Sequence, residues 1–211
     1  MYVPPHFEIS NPEVLHDLIA HHPLGVLITQ SESGLNANHI PFELDASGST
    51  HGILRAHVAR NNAVWQLSTN GDEVLVVFQA EDAYISPNWY LSKHETHQQV
   101  PTWNYRVVHA YGKITIHDDE KYVRALVGRL TKKHEANQPK PWKMSDAPRD
   151  YMEMMVKSIV GIEIEITRRI GKFKLSQNRE KRDRLNAGQV LIEQGNERLG
   201  KAMLDGVAPA K

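Results

Sequence analysis

Val74-Leu75-Val76-Val77-Phe78 opens the stretch from Glu73 to Ile116, and Val107-Val108-His109-Ala110-Tyr111-Gly112-Lys113-Ile114-Thr115-Ile116 closes it. The fold reading turns on this stretch. Runs rich in β-branched and aromatic residues, bounded by Pro, Gly and polar clusters, read as strands. Between them lie Ala83-Tyr84-Ile85-Ser86-Pro87-Asn88-Trp89-Tyr90, a polar loop, and Pro101-Thr102-Trp103-Asn104-Tyr105. A connection of roughly twenty residues is longer than most structureless loops in compact domains. Its Trp, Tyr, Lys and His residues suit a binding loop or lid on a rigid scaffold, or an excursion pinned to the body by its aromatics.

Toward the N-terminus, Tyr2-Val3-Pro4-Pro5-His6-Phe7 is too proline-rich for a helix interior and reads as an extended arm packed by its aromatics. Asn11 then caps a helix with Pro12 at its first position, and Val14, Leu15, Leu18 and Ile19 form its apolar stripe. Strands follow at Leu24–Thr29, Leu35–Leu44 and His51–Ala56, with Pro41 confined to an edge or a bulge. Next, His57-Val58-Ala59-Arg60-Asn61-Asn62 reads as a strand end running into a short helix, with Asn61 or Asn62 as its cap.

Toward the C-terminus, Asp118–Glu135 reads as an amphipathic helix broken by Gln138-Pro139-Lys140-Pro141-Trp142, and Ala147–Ser158 as a second helix. Ile162, Ile164 and Ile166 alternate with Glu163, Glu165 and Thr167, the period of a half-buried strand with an acidic outer face. A turn at Arg169–Gly171 is expected to return the chain into Lys172-Phe173-Lys174-Leu175-Ser176. Arg182–Gln194 reads as a helix and the tail after Gly206 as frayed. The basic run Lys172–Arg184 is read as the solvated start of that helix, with nucleic-acid contact as the alternative.

Composition sets outer limits. The chain has 211 residues, with Lys+Arg and Asp+Glu both 25, so it lacks the basic excess of a nonspecific nucleic-acid binder. It has no Cys, which excludes disulfides, thiolate metal sites and cysteine nucleophiles. Its 12 His include the pairs His94/His97 and His21/His22, neither with metal-ligand spacing, so no metal site is expected. No apolar run is long enough to span a bilayer and no leader pattern opens the chain, so a cytoplasmic protein without membrane contact is expected.

Tyr84-Ile85-Ser86-Pro87-Asn88-Trp89-Tyr90, Lys93-His94-Glu95, Val100-Pro101-Thr102-Trp103-Asn104-Tyr105 and His109-Ala110-Tyr111-Gly112 resemble the core of the PaiB family of FMN-binding negative transcriptional regulators. The likeness extends to Met1-Tyr2-Val3-Pro4-Pro5-His6-Phe7, His57-Val58-Ala59-Arg60-Asn61-Asn62, Gly161-Ile162-Glu163-Ile164-Glu165-Ile166-Thr167 and Lys172-Phe173-Lys174-Leu175-Ser176-Gln177-Asn178, nearly the whole chain. The resemblance implies a mixed α/β (α+β) fold: an antiparallel split β-barrel of the pyridoxamine-phosphate-oxidase-like, FMN-binding type, with peripheral helices. The implied division is a barrel domain over residues 1–180, with a helical insertion at about 118–159, and a C-terminal helix and tail over 181–211.

FMN is the implied cofactor, with haem as the alternative. On the residues alone, Arg60 beside His57 at a helix start reads as a capped connecting helix with a solvated Arg. The split-barrel resemblance turns it into a phosphate site, where amides and a cation favour an anion. The candidate cofactor-binding set is His39, His57, Ala59, Arg60, Asn61, Lys93, Trp103, Lys174 and Gln177, with Trp89, Tyr90 and Tyr105 as further flat surfaces for the flavin ring. A Gly-rich phosphate loop is absent, which argues against a Rossmann or P-loop site.

Three functions follow. The first is an FMN-binding homodimer; the second is a repressor acting on a DNA operator, although no helix-turn-helix pattern is visible. The third is a flavin-dependent oxidoreductase or a haem-binding or haem-degrading protein without direct DNA contact. No acid, base or nucleophile set stands out as catalytic.

Overall fold

A computed structural model describes residues 1–206. In chain order the elements are β1 (Glu8–Ile9), α1 (Pro12–His21), β2 (Leu24–Ser31), β3 (Gly34–Pro41), β4 (Glu43–Asp45), β5 (Ile53–Ala59), α2 (Val64–Leu67), β6 (Glu73–Ile85), α3 (Lys93–Thr96), β7 (Thr102–His117), α4 (Glu120–Glu135), α5 (Arg149–Lys157), β8 (Ile159–Lys174), α6 (Lys181–Glu193) and α7 (Glu197–Asp205). The eight strands hydrogen-bond in the order β3-β2-β6-β7-β8-β5-β4, with β1 added to β8. β2 runs antiparallel to β3 and β6, and β5 antiparallel to β4 and β8. The expected antiparallel sheet with helices around it is what forms, and Pro41 sits on its edge strand.

The chain folds as two compact units, and β6, β7 and β8 contribute residues to both. Among the described residues, the first unit comprises 1–22, 78–109 and 170–206. Asn11 accepts the Glu13 N–H at 2.9 Å and starts α1, as its side chain and Pro12 dictate. α1 buries Leu15, Leu18 and Ile19, while Phe7 is buried and Tyr2 is not. α6 and α7 form an antiparallel-neighbour pair with Ala187, Leu191, Leu199 and Met203 inside. They approach closely at two glycines: a Cβ on Gly200 would lie 2.6 Å from the Gly188 carbonyl oxygen.

The second unit comprises residues 23–77 and 110–169. Its core is Leu27, Leu54, Ala56, Val76, Ile114, Leu126, Ile162 and Ile164. Asp119 accepts the Tyr122 N–H at 2.7 Å and caps α4. The Tyr122 ring stacks on His117, with centroids 3.7 Å apart, and sits over Gly161, where a Cβ would meet it at 2.8 Å. The expected acidic outer face of β8 is only half solvated. Glu163 accepts from Arg55 Nε at 2.9 Å and from the Tyr122 hydroxyl at 3.2 Å, while Glu165 and Thr167 are exposed as read.

Two expectations are corrected. The turn at Arg169–Gly171 does not exist; β8 runs unbroken through it. Gly171 serves close approach instead, because it pairs with Ile9 and a Cβ there would lie 2.3 Å from Leu15 Cδ2. The second correction is α7, which the sequence reading left out and whose buried face is Leu199, Gly200 and Met203. The tail expected to fray after Gly206 lies outside the described residues.

Gly112 gives the fold a direct test. A Cβ there would lie 2.4 Å from the Glu165 carbonyl oxygen, so β7 and β8 must separate to admit one. Gly112→Ala is expected to destabilise the protein by about 1–3 kcal/mol through overpacking. In urea unfolding the midpoint should fall while the slope stays unchanged.

Candidate functional site

The nine candidate cofactor residues divide between the units. His39, His57, Ala59, Arg60 and Asn61 belong to the second, and Lys93, Trp103, Lys174 and Gln177 to the first.

In the second unit, β5 ends at Ala59 and a tight turn closes when the Asn62 N–H donates to the Ala59 carbonyl at 2.8 Å. Asn62 Oδ1 accepts the Val64 N–H at 3.0 Å and Asn62 Nδ2 donates to Asn38 Oδ1 at 2.9 Å, while the cap position of α2 falls on Ala63, so neither Asn61 nor Asn62 is the cap residue. Asn61 stands exposed at the turn, and His39 is exposed on edge strand β3. The Arg60 guanidinium is exposed to solvent, as read, but it is also paired. Nη1 and Nη2 donate to the two Asp118 oxygens at 3.0 and 2.5 Å, and Nε donates to the Lys157 carbonyl at 2.7 Å. The Arg60 carbonyl in turn accepts from Trp65 Nε1 at 2.8 Å. The Arg60 hydrogen bond depresses Asp118 and raises Arg60, so both stay charged at neutral pH.

His57 points to chemistry of another kind. It lines a groove of about 300 Å³ with Pro41, His134 and Trp142. Its Nδ1 is buried without a hydrogen-bond partner among the described residues. Burial pushes its pKa below the usual histidine value, so the ring is neutral at pH 7.

In the first unit, Trp103 and Tyr84 meet edge to face with centroids 6.2 Å apart and are 55% and 46% exposed. Trp103 and Tyr105 line a groove of about 350 Å³ with Val107, Gln79 and Asp82. Lys174 donates to Thr102 Oγ1. Burial pushes the Lys174 pKa down, and the nearby Lys172 and Arg179 push it further the same way. Gln177 is a structural clasp at the end of β8, where Oε1 accepts the Leu175 N–H at 2.7 Å and Nε2 donates to the Phe173 carbonyl at 2.5 Å. Lys93 starts the short helix α3 and is half-buried.

The central loop differs most from its reading. Tyr90, taken as a surface for the flavin ring, is fully buried, and its hydroxyl meets Ser176 Oγ at 3.0 Å. Asn104, also fully buried, donates to the same Ser176 oxygen at 2.9 Å. Ser92 donates its N–H and hydroxyl to the two oxygens of the fully buried Asp183, at 2.9 and 2.5 Å. Arg182 grips Glu95 with both Nη atoms at 2.6 Å, and Asn186 donates to the Trp89 carbonyl at 2.9 Å. The loop is therefore bound to α6. The available signal was Asp183 itself, one acid inside Lys181-Arg182-Asp183-Arg184, which the charge count treated as solvated. Among the described residues no cluster suited to a metal ion occurs, and no helix is long and apolar enough to cross a membrane.

The family described as "Putative FMN-binding domain" matches residues 1–168. The Protease synthase and sporulation protein PAI 2 of Bacillus subtilis is 30% identical over 196 residues, covering 93% of this chain and 91% of that one. An uncharacterized protein of Emericella nidulans is 38% identical over 206 residues, covering 81% of this chain and 82% of its own. Among solved structures, a conserved hypothetical protein of Mycobacterium tuberculosis superposes with TM-score 0.56 at 12% identity, covering 82% of this chain and 90% of that one. The FAD and heme binding protein of Mycobacterium smegmatis superposes with TM-score 0.52 at 19% identity, covering 79% and 73%. At such identities the structures speak for the fold alone, which is the antiparallel split barrel with peripheral helices.

The half-buried His57, with its Nδ1 enclosed, predicts a pH dependence. Below the ordinary histidine pKa of about 6.5, the unfolded chain binds a proton that folded His57 refuses. Stability is therefore complete above that value, falls as the pH drops toward the folded pKa, and levels off below it. His22 and His109 are depressed by burial as well and add to the slope. His57→Gln should lose less stability than wild type between neutral and mildly acidic pH, read from urea midpoints across that window. Parallel curves would mean that His57 is not buried in solution.

Proposed function

The chain belongs to the PaiB family of FMN-binding-domain proteins, and from that premise we propose that it is a cytoplasmic, FMN-binding, split-barrel homodimer that acts in transcriptional repression. The observation that carries this reading is the family match over residues 1–168, together with 30% identity to PAI 2 across 93% of the chain. Bound FMN would supply redox chemistry that side chains alone do not.

The residues present fit such a group. In the second unit the fork of Arg60 is already displayed to a carboxylate, the geometry that suits a phosphate equally well. In our reading the FMN phosphate exchanges with Asp118 on Arg60, next to the exposed turn at Asn61.

The repressor role rests on the family and not on a DNA-binding face. In the basic run, Arg182 is held by Glu95 and Glu180, Arg184 by the Met203 carbonyl, and Lys174 by Thr102. We therefore place regulation on the liganded dimer. The dimer itself is supported by β3, an eight-residue edge strand whose Leu35 is 76% exposed. Such an edge invites pairing.

Visible absorption of the purified protein tests the cofactor: a flavin band supports the reading, and a haem Soret band supports the alternative. Titration of FMN and riboflavin by fluorescence quenching then tests the anion site. Arg60→Ala should weaken FMN by about ten- to hundredfold. Asp118→Asn, which releases the guanidinium, should tighten it. Riboflavin, lacking the phosphate, should respond to neither change. Equal losses for both ligands would mean that Arg60 holds the corner at Lys157 and not the phosphate.

Light scattering checks the dimer. Wild type is expected at twice the 24.0 kDa chain mass, and Leu35→Asp should shift it toward the monomer. A monomeric wild type at micromolar concentration would contradict the assembly.

A further inference from the structure

The first unit holds a cleft of about 760 Å³ that the flavin reading does not use. This is within the size range of small-molecule sites. Val14, Leu18 and Phe173 give it apolar surface, and Glu81 and Arg106 bring a charged pair to it. Arg106 Nη2 donates to Glu81 Oε2, and the two side chains are 20% and 18% exposed.

The pair is incompletely satisfied. Glu81 Oε1 and Arg106 Nε are both buried without a hydrogen-bond partner among the described residues. His22 Nε2 and Arg198 Nη1 stand 3.7 and 3.6 Å from that same oxygen, near enough for charge and too far for a hydrogen bond. A buried donor and a buried acceptor left open side by side call for something that supplies both.

Charge narrows the class. Arg106, Arg198 and Lys201 line the cleft against Asp17, Glu81 and Asp205, so the fixed charges balance. Burial lowers the His22 pKa despite the pull of Glu81, and His22 adds no charge at pH 7. A balanced wall disfavours a simple anion or cation and suits a zwitterion. We propose that this cleft binds a free α-amino acid with an apolar side chain. Arg106 and Arg198 take its carboxylate, Glu81 takes its ammonium, and the side chain lies against Leu18 and Phe173. The proposal does not depend on flavin binding.

Calorimetry on the full chain tests it with L-leucine, L-valine and L-phenylalanine as probes, beside 3-methylbutylamine and 4-methylpentanoate, which each keep one charge of leucine. At least one amino acid should bind, and both single-charge analogues should bind about tenfold or more weakly than leucine. Arg198 is 74% exposed, so Arg198→Ala should keep the fold while weakening the amino acid by about tenfold. Ala202→Phe, filling the cleft from α7, should abolish binding without removing any polar partner. Saturating FMN should leave the titration unchanged. The proposal is overturned if no amino acid binds, if the analogues bind as well, if Arg198→Ala changes nothing, or if FMN displaces the probe.

Discussion

The carboxylate of Asp183 is the point on which the first unit depends. It lies fully buried on α6 and accepts two hydrogen bonds from Ser92, one from the backbone and one from the hydroxyl. Without it, Ser92 would bury a donor with no acceptor, at a cost of about 1–3 kcal/mol. Gln99 donates to the Ser92 hydroxyl at 2.8 Å, so the same contact fixes both flanks of α3. The rest follows from that anchorage. Tyr90 goes into the core beside Ser176, and Ser176 takes a left-handed backbone (φ 63°) where Asn104 and Tyr90 both reach its hydroxyl. The stretch between β6 and β7 is thus a fixed wall and not a lid.

A fixed loop changes what binding surfaces can be. Lids gain specificity by moving, whereas a preformed wall offers pockets at low ordering cost. The molecule's zero formal net charge is matched locally by internal pairing: Arg60 with Asp118, Arg55 with Asp45 and Glu163, Arg106 with Glu81, Arg182 with Glu95. Arg55 holds Asp45 down to a pKa of about 2. On the proposals made above, ligand recognition would exchange an internal partner for an external one at Arg60, or complete the unfinished Glu81–Arg106 pair, without a free basic face.

Much of this was legible in the sequence, and the reasons are local. Asn11-Pro12 and Asp119 cap helices through bonds that depend only on neighbours two or three residues away. The alternation at Ile162, Ile164 and Ile166 records a face that the sheet buries, whatever lies opposite. What could not be read is set by contacts between distant segments. Gly171 looked like a turn because glycine permits one, but Leu15 and Ile9 demand its missing side chain. Tyr90 looked like a ligand contact because it sits in a polar loop, and the residue that receives it, Ser176, is 86 positions away. Arg60 was correctly placed at a strand end, yet its partner Asp118 is 58 positions on and invisible to a local pattern. The resemblance to a flavin-binding family supplied the fold and cofactor class; it did not tell which cations were already engaged.

Hydrogen–deuterium exchange resolved at residues 86–101, in wild type and in Asp183→Asn, tests the fixed-wall account most directly. The account predicts that in wild type the Ser92 amide exchanges far more slowly than its exposed loop neighbours. It also predicts that the substitution releases the loop and α6 together while leaving β2 and β5 as protected as before. A Ser92 amide that exchanges as fast as its loop neighbours in wild type, or that is indifferent to Asp183→Asn, would contradict it.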